Sequence, residues 1–545
     1  MKLLILGGYG TFGGRLAELA SDIADLDILI AGRSLEKARA FCACFQGAAR
    51  VHPLGLDRAD IEEALTDHSP DLVVDASGPF QDYGDDRYRM IEACIAAGVD
   101  YMDLADGAGF VEGVAAFDRA AKDAGVVVLS GVSSFPVLTA AVLADIAGRM
   151  EISQVEGGIA PSPYAGVGQN VLRAVLGYAG EQVHLTRAGR PATGRGLVEQ
   201  RRKTVAVPGH MPLRNIRFSL VDVPDLRLLP ARHPGLQTIW MGAGPVPEVL
   251  HRALNALARL RSWGLAPRLT PLAGLCHWVL NAAKFGEHRG GMYVMAQGPN
   301  GAEETWNLIA EGDDGPLIPS MAIEGLIRKM IKGNRPEAGA RPGVGALSLS
   351  DYEALFVRRR IVTGARSAPR RALYPDTLGA AFDNLAAPVK AFHATPGTWA
   401  GTADITGSNS FVARTLARAL GFPRPGKGIP VTVTTTSLGG KERWQRDFGG
   451  HRMTTTQERG QGRMEGLIVE RFGPIAIGLA MIVKADRLYL VPRRGTIFGL
   501  PMPRWLLPRG DTFEAEANGM FQFDVTVKVP LLGLIAAYRG TLSPG

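Results

Sequence analysis

The stretch "KLLILGGYGTFGGRLAELA" (residues 2–20) decides the fold of the N-terminal part of the chain. Its first five residues are an apolar run typical of a buried parallel strand, and its last seven continue as an amphipathic helix. Glycines between such a strand and helix permit a tight turn and the close approach of a pyrophosphate, which the helix N-terminus attracts. The alternative is a glycine-rich turn without a ligand. The G-x-G-x-x-G pattern therefore predicts a dinucleotide site at Gly8, Tyr9, Gly10, Thr11, Phe12 and Gly13.

The end of the second predicted strand, "DILIAGRS" (27–34), indicates which dinucleotide is bound. Sites for NAD usually place Asp or Glu here, about twenty residues after the glycines, where it accepts from the ribose 2′-hydroxyl. This chain has Arg33 and Ser34 instead, with Lys37 one helical turn further. Cationic groups beside a hydroxyl suit a 2′-phosphate. We therefore expect NADP(H) as the cofactor; the alternative for Arg33 is an ordinary surface arginine.

Strands and helices then alternate over some 130 residues, which predicts a doubly wound parallel sheet. Ligands of such sheets lie beyond the carboxyl ends of the strands. The third strand ends near Asp57, the fourth breaks into "ASGPF" (76–80), and the fifth ends in "MDLADG" (102–107). This placement adds four further predicted cofactor contacts: Asp57, Ser77, Gly78 and Pro79.

Composition places the chain among multidomain globular proteins. It has 545 residues, 46% hydrophobic residues and a net charge of +7. Its four cysteines are too few for a disulfide framework and lack metal-ligand spacing, so we expect reduced thiols, no metal site and a cytoplasmic location. We expect no transmembrane segment, and we interpret the basic stretch 357–371 as a solvated linker rather than a nucleic-acid site. A peripheral membrane contact and a homodimer remain open.

Changes in pattern along the chain predict the domain organisation. The fold class is α/β: a Rossmann-type domain (1–135), an α+β second domain (136–345), a basic linker (346–371) and a β-rich antiparallel domain (372–545). In the last part, alternating apolar and polar residues such as those of 521–529 predict half-buried antiparallel strands, with hairpin turns at Gly439-Gly440 and Gly449-Gly450.

Separated motifs resemble one family. The set "GGYGTFG", "AGRSLEKA", "DASGPFQDYG" and "ACIAAGVDYMDLADG" resembles the saccharopine dehydrogenase-like NADP-binding oxidoreductase family over about residues 1–145, and the stretch 292–333 resembles its second domain. The resemblance implies nicotinamide-dependent oxidation or reduction of a small molecule, with the glycines, Arg33 and Ser34 as cofactor contacts. The C-terminal part, with "LPMPRWLLP" and "FQFDVTVKVPLLG", resembles a domain of unknown function often fused to this family.

The predicted reaction is hydride transfer to or from a C=C, C=N or C=O carbon. Near the end of the fifth strand, Tyr101 and Asp103 alternate on one face, which makes them candidates for acid–base catalysis. The alternative for Asp103 is a structural role in capping a helix or fixing the loop. Two other functions remain open: a trans-acting enoyl reductase of lipid assembly, and a non-catalytic NADP-binding regulator.

The C-terminal domain is predicted to be a curved antiparallel sheet around an apolar pocket that binds a lipophilic molecule. The apolar connection "GLPMPRWLLPRG" (499–510), which contains Trp505, is a candidate lid. The alternative is that this connection fills the core of its own domain or packs on the oxidoreductase part.

Overall fold

The computed structural model describes residues 1–80, 83–166, 168–245, 248–282, 286–298, 302–367, 372–438, 441–530 and 532–544. The predicted turn at 439–440 therefore lies outside the described residues, whereas the turn at 449–450 joins two paired strands. The chain forms two compact units: residues 1–201, 217–302 and 310–362, and residues 202–216, 303–309 and 363–545. Each unit is thus built from three separate stretches of chain.

A parallel sheet of seven strands, counted over the described residues, organises the beginning of the first unit. In spatial order its strands are Gly339–Pro342, Val127–Ser130, Asp100–Asp103, Leu72–Asp75, Lys2–Leu6, Asp27–Gly32 and Arg50–Gly55. The first strand of the chain lies between the second and the fourth, so the strand order reverses there. Such a reversal opens a crevice at the carboxyl ends of the strands. The predicted Rossmann-type sheet is confirmed.

Helices connect these strands, and both faces of the central strands are buried, as a doubly wound sheet requires. Leu3, Leu4 and Ile5 have no exposed surface. The helices and single turns of this part are Thr11–Leu19, Leu35–Cys44, Arg58–Asp60, Ile61–His68, Gly84–Asp86, Arg89–Ala97, Ala108–Gly113, Val114–Phe117, Asp118–Asp123, Ser134–Leu138 and Thr139–Ala147.

The rest of the first unit contains a mixed sheet, in which strand Gln154–Ala160 pairs in parallel with Thr238–Ala243 and antiparallel with Arg289–Gln297. The segment 217–230 is a strand only to Leu220 and a helix from Asp225, where Leu226 and Leu229 bury one helical face. The remaining helices and turns are Gln169–Tyr178, Asp225–Arg232, Glu248–Ser262, Thr270–Leu272, Ala273–Ala282, Gly315–Leu317, Ile318–Ile331 and Leu349–Phe356.

Six further described strands lie outside the parallel sheet and outside the barrel. They are Gln182–Arg187, Arg190–Arg195, Gln200–Val205, Leu213–Leu220, Glu303–Glu311 and Ile361–Ser367. The segment 346–371, predicted to be a linker, therefore contains a helix (Leu349–Phe356) and a strand (Ile361–Ser367). The Ser348 side chain caps that helix in a capping box with Asp351, a local signal that fixes its start.

An antiparallel barrel dominates the second unit. Ten of its described strands follow one another round the barrel in chain order, and the last pairs with the first. They are Thr398–Gly407, Gly426–Leu438, Lys441–Phe448, His451–Arg459, Ile468–Phe472, Ile475–Lys484, Arg487–Ile497, Phe513–Ala517, Met520–Val529 and Gly533–Pro544. A short strand, Leu500–Pro501, pairs outside the ring with Arg487–Ile497. The predicted antiparallel sheet is thus closed, which removes its edges.

Short helices accompany the barrel and complete its core. Tyr374, Phe392 and Trp444 are buried in one hydrophobic cluster with the inward-facing strand residues. The helices and turns of this unit are Leu373–Leu378, Gly379–Asn384, Ala387–Ala394, Phe411–Ala419, Gly462–Met464 and Arg504–Leu506. In the part of the chain that the structure describes, no helix is both long and apolar enough to span a membrane.

Candidate cofactor site

The glycine-rich loop leads directly from the first strand into the helix Thr11–Leu19. Gly7 has a φ of +78°, and a Cβ on it would lie 2.8 Å from the Ala76 carbonyl oxygen. A Cβ on Gly13 would overlap the Gly7 carbonyl oxygen, so only glycine lets the helix lie this close to the strand. Gly10 precedes the helix without a side-chain cap. The first N–H groups of the helix are therefore available to a phosphate.

A cavity of about 800 Å³ opens above this loop at the carboxyl ends of the strands. Most predicted cofactor contacts line it: Tyr9, Gly10, Thr11, Phe12, Arg33, Lys37, Asp57, Ser77, Gly78 and Pro79. The three other predicted cofactor contacts are absent from the cavity lining and instead stabilise the elements that form it. Gly8 and Gly13 allow close backbone packing, and Ser34 caps the helix Leu35–Cys44 by accepting from the Lys37 backbone N–H at 3.3 Å.

The ribose end of the cavity is basic. Arg33 and Lys37 are exposed and line the cavity beyond the second strand. Asp57 follows the third strand, where its carboxylate accepts from the Ala59 backbone N–H at 3.1 Å. Arg58, a residue that sequence reasoning missed, also lines the cavity, and its guanidinium lies 4.0 Å from the Tyr83 ring centroid. These cations match the negative charge of a 2′-phosphorylated dinucleotide.

A hydrogen-bonded chain leads from the cavity to a buried carboxyl group at the end of the fourth strand. Ser77 Oγ donates to Asp75 Oδ1 at 2.5 Å. Because the serine proton is used there, the Tyr83 hydroxyl donates to Ser77 Oγ, at 2.6 Å. Burial raises the pKa of Asp75, and burial together with the Asp75 charge raises the pKa of Tyr83. Tyr83 was not predicted as a site residue, although it lines the cavity.

The helix Gln169–Tyr178 supplies the opposite wall of the cavity. Asn170 Nδ2 donates to the Gly78 carbonyl oxygen at 2.8 Å, and so ties this helix to the loop after the fourth strand. Gln169 and Asn170 were not predicted as site residues from the sequence. The signal that could have found them is the pair of polar residues at the start of a helix that follows Gly166 and Gly168.

Tyr101 and Asp103 lie beneath the cavity and are absent from its lining. Asp103 Oδ1 accepts from the backbone N–H groups of Ala105 and Gly131, at 3.0 and 2.7 Å, and from Ser130 Oγ. Burial raises the pKa of Asp103 to about 7 and that of Tyr101 well above its ordinary value. These contacts fix the loop after the fifth strand. The catalytic role of the two residues stays a prediction.

Comparison with known proteins agrees with this geometry. Residues 3–129 match the family model described as the saccharopine dehydrogenase NADP binding domain. Over these residues the chain is similar to that NADP-binding domain. The family match indicates NADP(H) as the cofactor, as the basic ribose end of the cavity does independently. Residues 385–542, which span most of the barrel, match a domain of unknown function, DUF4166.

Similarity to individual proteins is partial. The chain is 32% identical over 148 residues to carboxyaminopropylagmatine dehydrogenase of Synechocystis sp., an alignment of 25% of this chain and 35% of that relative. The chain thus matches about a third of the relative's length. Among solved structures, saccharopine dehydrogenase (L-Glu forming) from Saccharomyces cerevisiae is 13% identical, covering 68% of this chain and all of that one, with a TM-score of 0.46. Amine dehydrogenase from Mycobacterium smegmatis is 14% identical, covering 64% of this chain and 95% of its own, with a TM-score of 0.33.

Proposed function

We propose that the protein is an NADP(H)-dependent oxidoreductase that transfers a hydride to or from a carbon of a small-molecule C=C, C=N or C=O group. The observation that carries the proposal is the cavity itself. It combines three features at the carboxyl ends of the strands of one sheet. They are the glycine-rich loop (the phosphate cradle), the basic ribose end, and the hydrogen-bonded chain Tyr83–Ser77–Asp75 (the polar relay). NADP(H) supplies or accepts the hydride when bound, and the chain orients the reactants and moves the proton.

The proton path of this proposal runs from the cavity through Tyr83 and Ser77 to Asp75. In the proposed path the Tyr83 hydroxyl donates to Ser77, which leaves its oxygen able to accept a hydrogen bond from a substrate in the cavity. Because the pKa of Asp75 is raised by burial, this carboxyl group keeps its proton to a higher pH than an exposed aspartate does. In oxidation the proton passes inward along these hydrogen bonds to the Asp75 carboxylate. In reduction Asp75 starts protonated and the hydrogen bonds run the other way, so that Tyr83 gives its proton to the substrate and takes one from Ser77, which takes one from Asp75. Asp103 acts by holding the neighbouring loop.

Two measurements test the proposal on the full chain. NADPH binding is measured by calorimetry, and NADPH oxidation is followed by its absorbance against panels of imines, enoyl thioesters and ketones. Tyr83→Phe removes the relay hydroxyl. We expect this variant to bind NADPH normally and to lose at least 90% of turnover, as general acid–base groups contribute ~10²-fold or more.

The matched control is Tyr88→Phe. Tyr88 donates to the Phe110 carbonyl oxygen at 3.0 Å and is absent from the cavity lining, so its loss should leave turnover unchanged. Full turnover in Tyr83→Phe would refute the relay. Tight NADPH binding with no oxidation by any acceptor class would instead favour the non-catalytic regulator.

A further inference from the structure

The barrel of the second unit encloses a cavity that the oxidoreductase proposal does not use. Its volume is about 390 Å³, and seven of the ten described barrel strands contribute aliphatic or aromatic side chains to its lining. An engineered apolar cavity of ~150 Å³ holds one benzene molecule and stays free of water. In proportion, the barrel cavity has room for about sixteen carbon atoms. Up-and-down barrels of similar strand number hold a single small ligand in this position.

A group of polar side chains in and beside the cavity lining is already paired within the barrel. Glu470 Oε1 pairs with Arg446 Nη2 at 3.1 Å, and Glu514 Oε2 pairs with His393 Nε2 at 2.5 Å. Tyr374, which stacks on the His393 ring, donates to Gln457 Oε1 at 2.9 Å. Five of these residues line the cavity: Tyr374, Arg446, Gln457, Glu470 and Glu514. Glu470 and Glu514 thus each have a partner, and an anion placed beside them would meet two acidic side chains. Arg509, the other basic residue of the lining, is exposed and follows the connection 497–506.

Some apolar residues of the connection 497–506 line the cavity, and others are exposed at the protein surface. Ile497, Met502 and Leu506 line the cavity. Phe498 and Trp505 lie between them in the sequence and are 81% and 56% exposed. Exposed apolar side chains of this size beside an apolar cavity mark the route by which a ligand chain enters. The predicted lid thus contributes Leu506 to the cavity wall and leaves Trp505 at the surface.

We propose that the barrel binds one single-chain aliphatic molecule whose polar end is uncharged, such as a long-chain alcohol. The chain fills the aliphatic part of the cavity, where burial of each methylene is favourable. The polar end reaches Gln457, Glu470 and Glu514, whose side-chain oxygens can accept its hydrogen bond. The volume excludes a two-chain lipid from lying wholly inside. The residues of this site lie in the second unit and are separate from those that line the cavity of the first unit.

The test uses the full chain and an uncharged apolar fluorophore, N-phenyl-1-naphthylamine, as the reporter. Its emission should rise on addition of protein, and 1-tetradecanol should displace it. Tetradecanoate at pH 8 carries a charge at the same chain length, so we expect it to displace the reporter at least tenfold less well. Equal or better displacement by tetradecanoate would overturn the assignment of an uncharged polar end.

A cavity-filling variant locates the site. Val527 lines the cavity from a partly buried position, so Val527→Trp should occupy the ligand volume without unfolding the barrel and should weaken tetradecanol binding at least tenfold. The control Val412→Trp places the same side chain at a valine that is 57% exposed and absent from the lining. NADPH binding and thermal unfolding verify that each variant is folded. Undiminished tetradecanol binding in a folded Val527→Trp protein, or none in the parent protein, would refute the proposal.

Discussion

The backbone N–H of Ser34 donates a hydrogen bond to the hydroxyl oxygen of Tyr9 at 3.0 Å. This bond joins the end of the second strand to the middle of the glycine-rich loop. Gly32 lies beneath the same ring, where a Cβ would come within 2.7 Å of the tyrosine. The phosphate cradle and the basic ribose end are therefore held together by one side chain, and their spacing is fixed before a cofactor arrives.

Arg33 should determine the preference for NADPH over NADH. Arg33→Asp replaces a cavity cation by a carboxylate, so NADPH binding should weaken by about 1–3 kcal/mol while NADH binding is little changed. Calorimetric titration of both dinucleotides measures this. Arg39→Asp is the matched control, because Arg39 is exposed in the helix Leu35–Cys44 that follows Arg33 and does not line the cavity. Equal losses in the two variants would show only a general charge effect.

Gly13→Ala should disrupt the cradle. The added Cβ would overlap the Gly7 carbonyl oxygen, so we expect a loss of about 1–3 kcal/mol in the free energy of unfolding and much weaker NADPH binding. Gly109→Ala is the control, because a Cβ there has open space and the residue lies in a helix. Denaturant unfolding compares the two. A Gly13→Ala protein with parental stability and affinity would contradict the proposed packing.

The pH dependence of stability should report the Asp103 carboxyl group. Its folded-state pKa of about 7 lies above the ordinary value of 3.8, so the folded protein holds this proton more tightly than the unfolded chain does. The corresponding stability is complete below about pH 4 and is lost as the pH rises through 7. Asp103→Asn mimics the neutral group and should flatten the unfolding profile between these limits.

The same variant decides the role of Asp103. If this residue only positions the loop, Asp103→Asn should keep NADPH binding and most of the turnover. Asp85→Asn changes an exposed carboxylate and should leave both the profile and the turnover as they are. Loss of turnover in a folded Asp103→Asn protein would restore Asp103 to the catalytic mechanism.

The seam between the first and last barrel strands should be sensitive to side-chain size. A Cβ on Gly401 would overlap the backbone carbonyl of Thr541, so Gly401→Val should push the two strands apart. We expect a lower thermal unfolding temperature for the barrel and weaker binding of the fluorescent reporter. Thr402→Val alters an exposed neighbour on the same strand and serves as the control. Parental behaviour of Gly401→Val would mean that the seam is looser than this packing indicates.

The parts of the fold and of the site that depend on residues close together in the chain could be predicted from the sequence. The strand, the glycines and the helix lie within twenty residues, so the cradle and Arg33 could be predicted. Asn170 could not, because it reaches Gly78 from 92 residues further along the chain. Tyr83 and Arg58 have ordinary local contexts, and only the folded loop brings them to the cavity. Alternation predicted antiparallel strands, but closure of the barrel depends on one distant pairing, which leaves no local pattern.

The pairing of the first barrel strand with the last also determines when the barrel can close during synthesis. The first barrel strand begins at Thr398 and its partner ends at Pro544, so the ring cannot close until the ribosome has made the whole interval. At ~5–20 residues per second, the growing chain carries an open sheet for roughly seven to thirty seconds. Two unpaired edges and an uncovered apolar interior are exposed during that time. The barrel is therefore the part of this protein whose production should depend most on chaperones and on growth temperature.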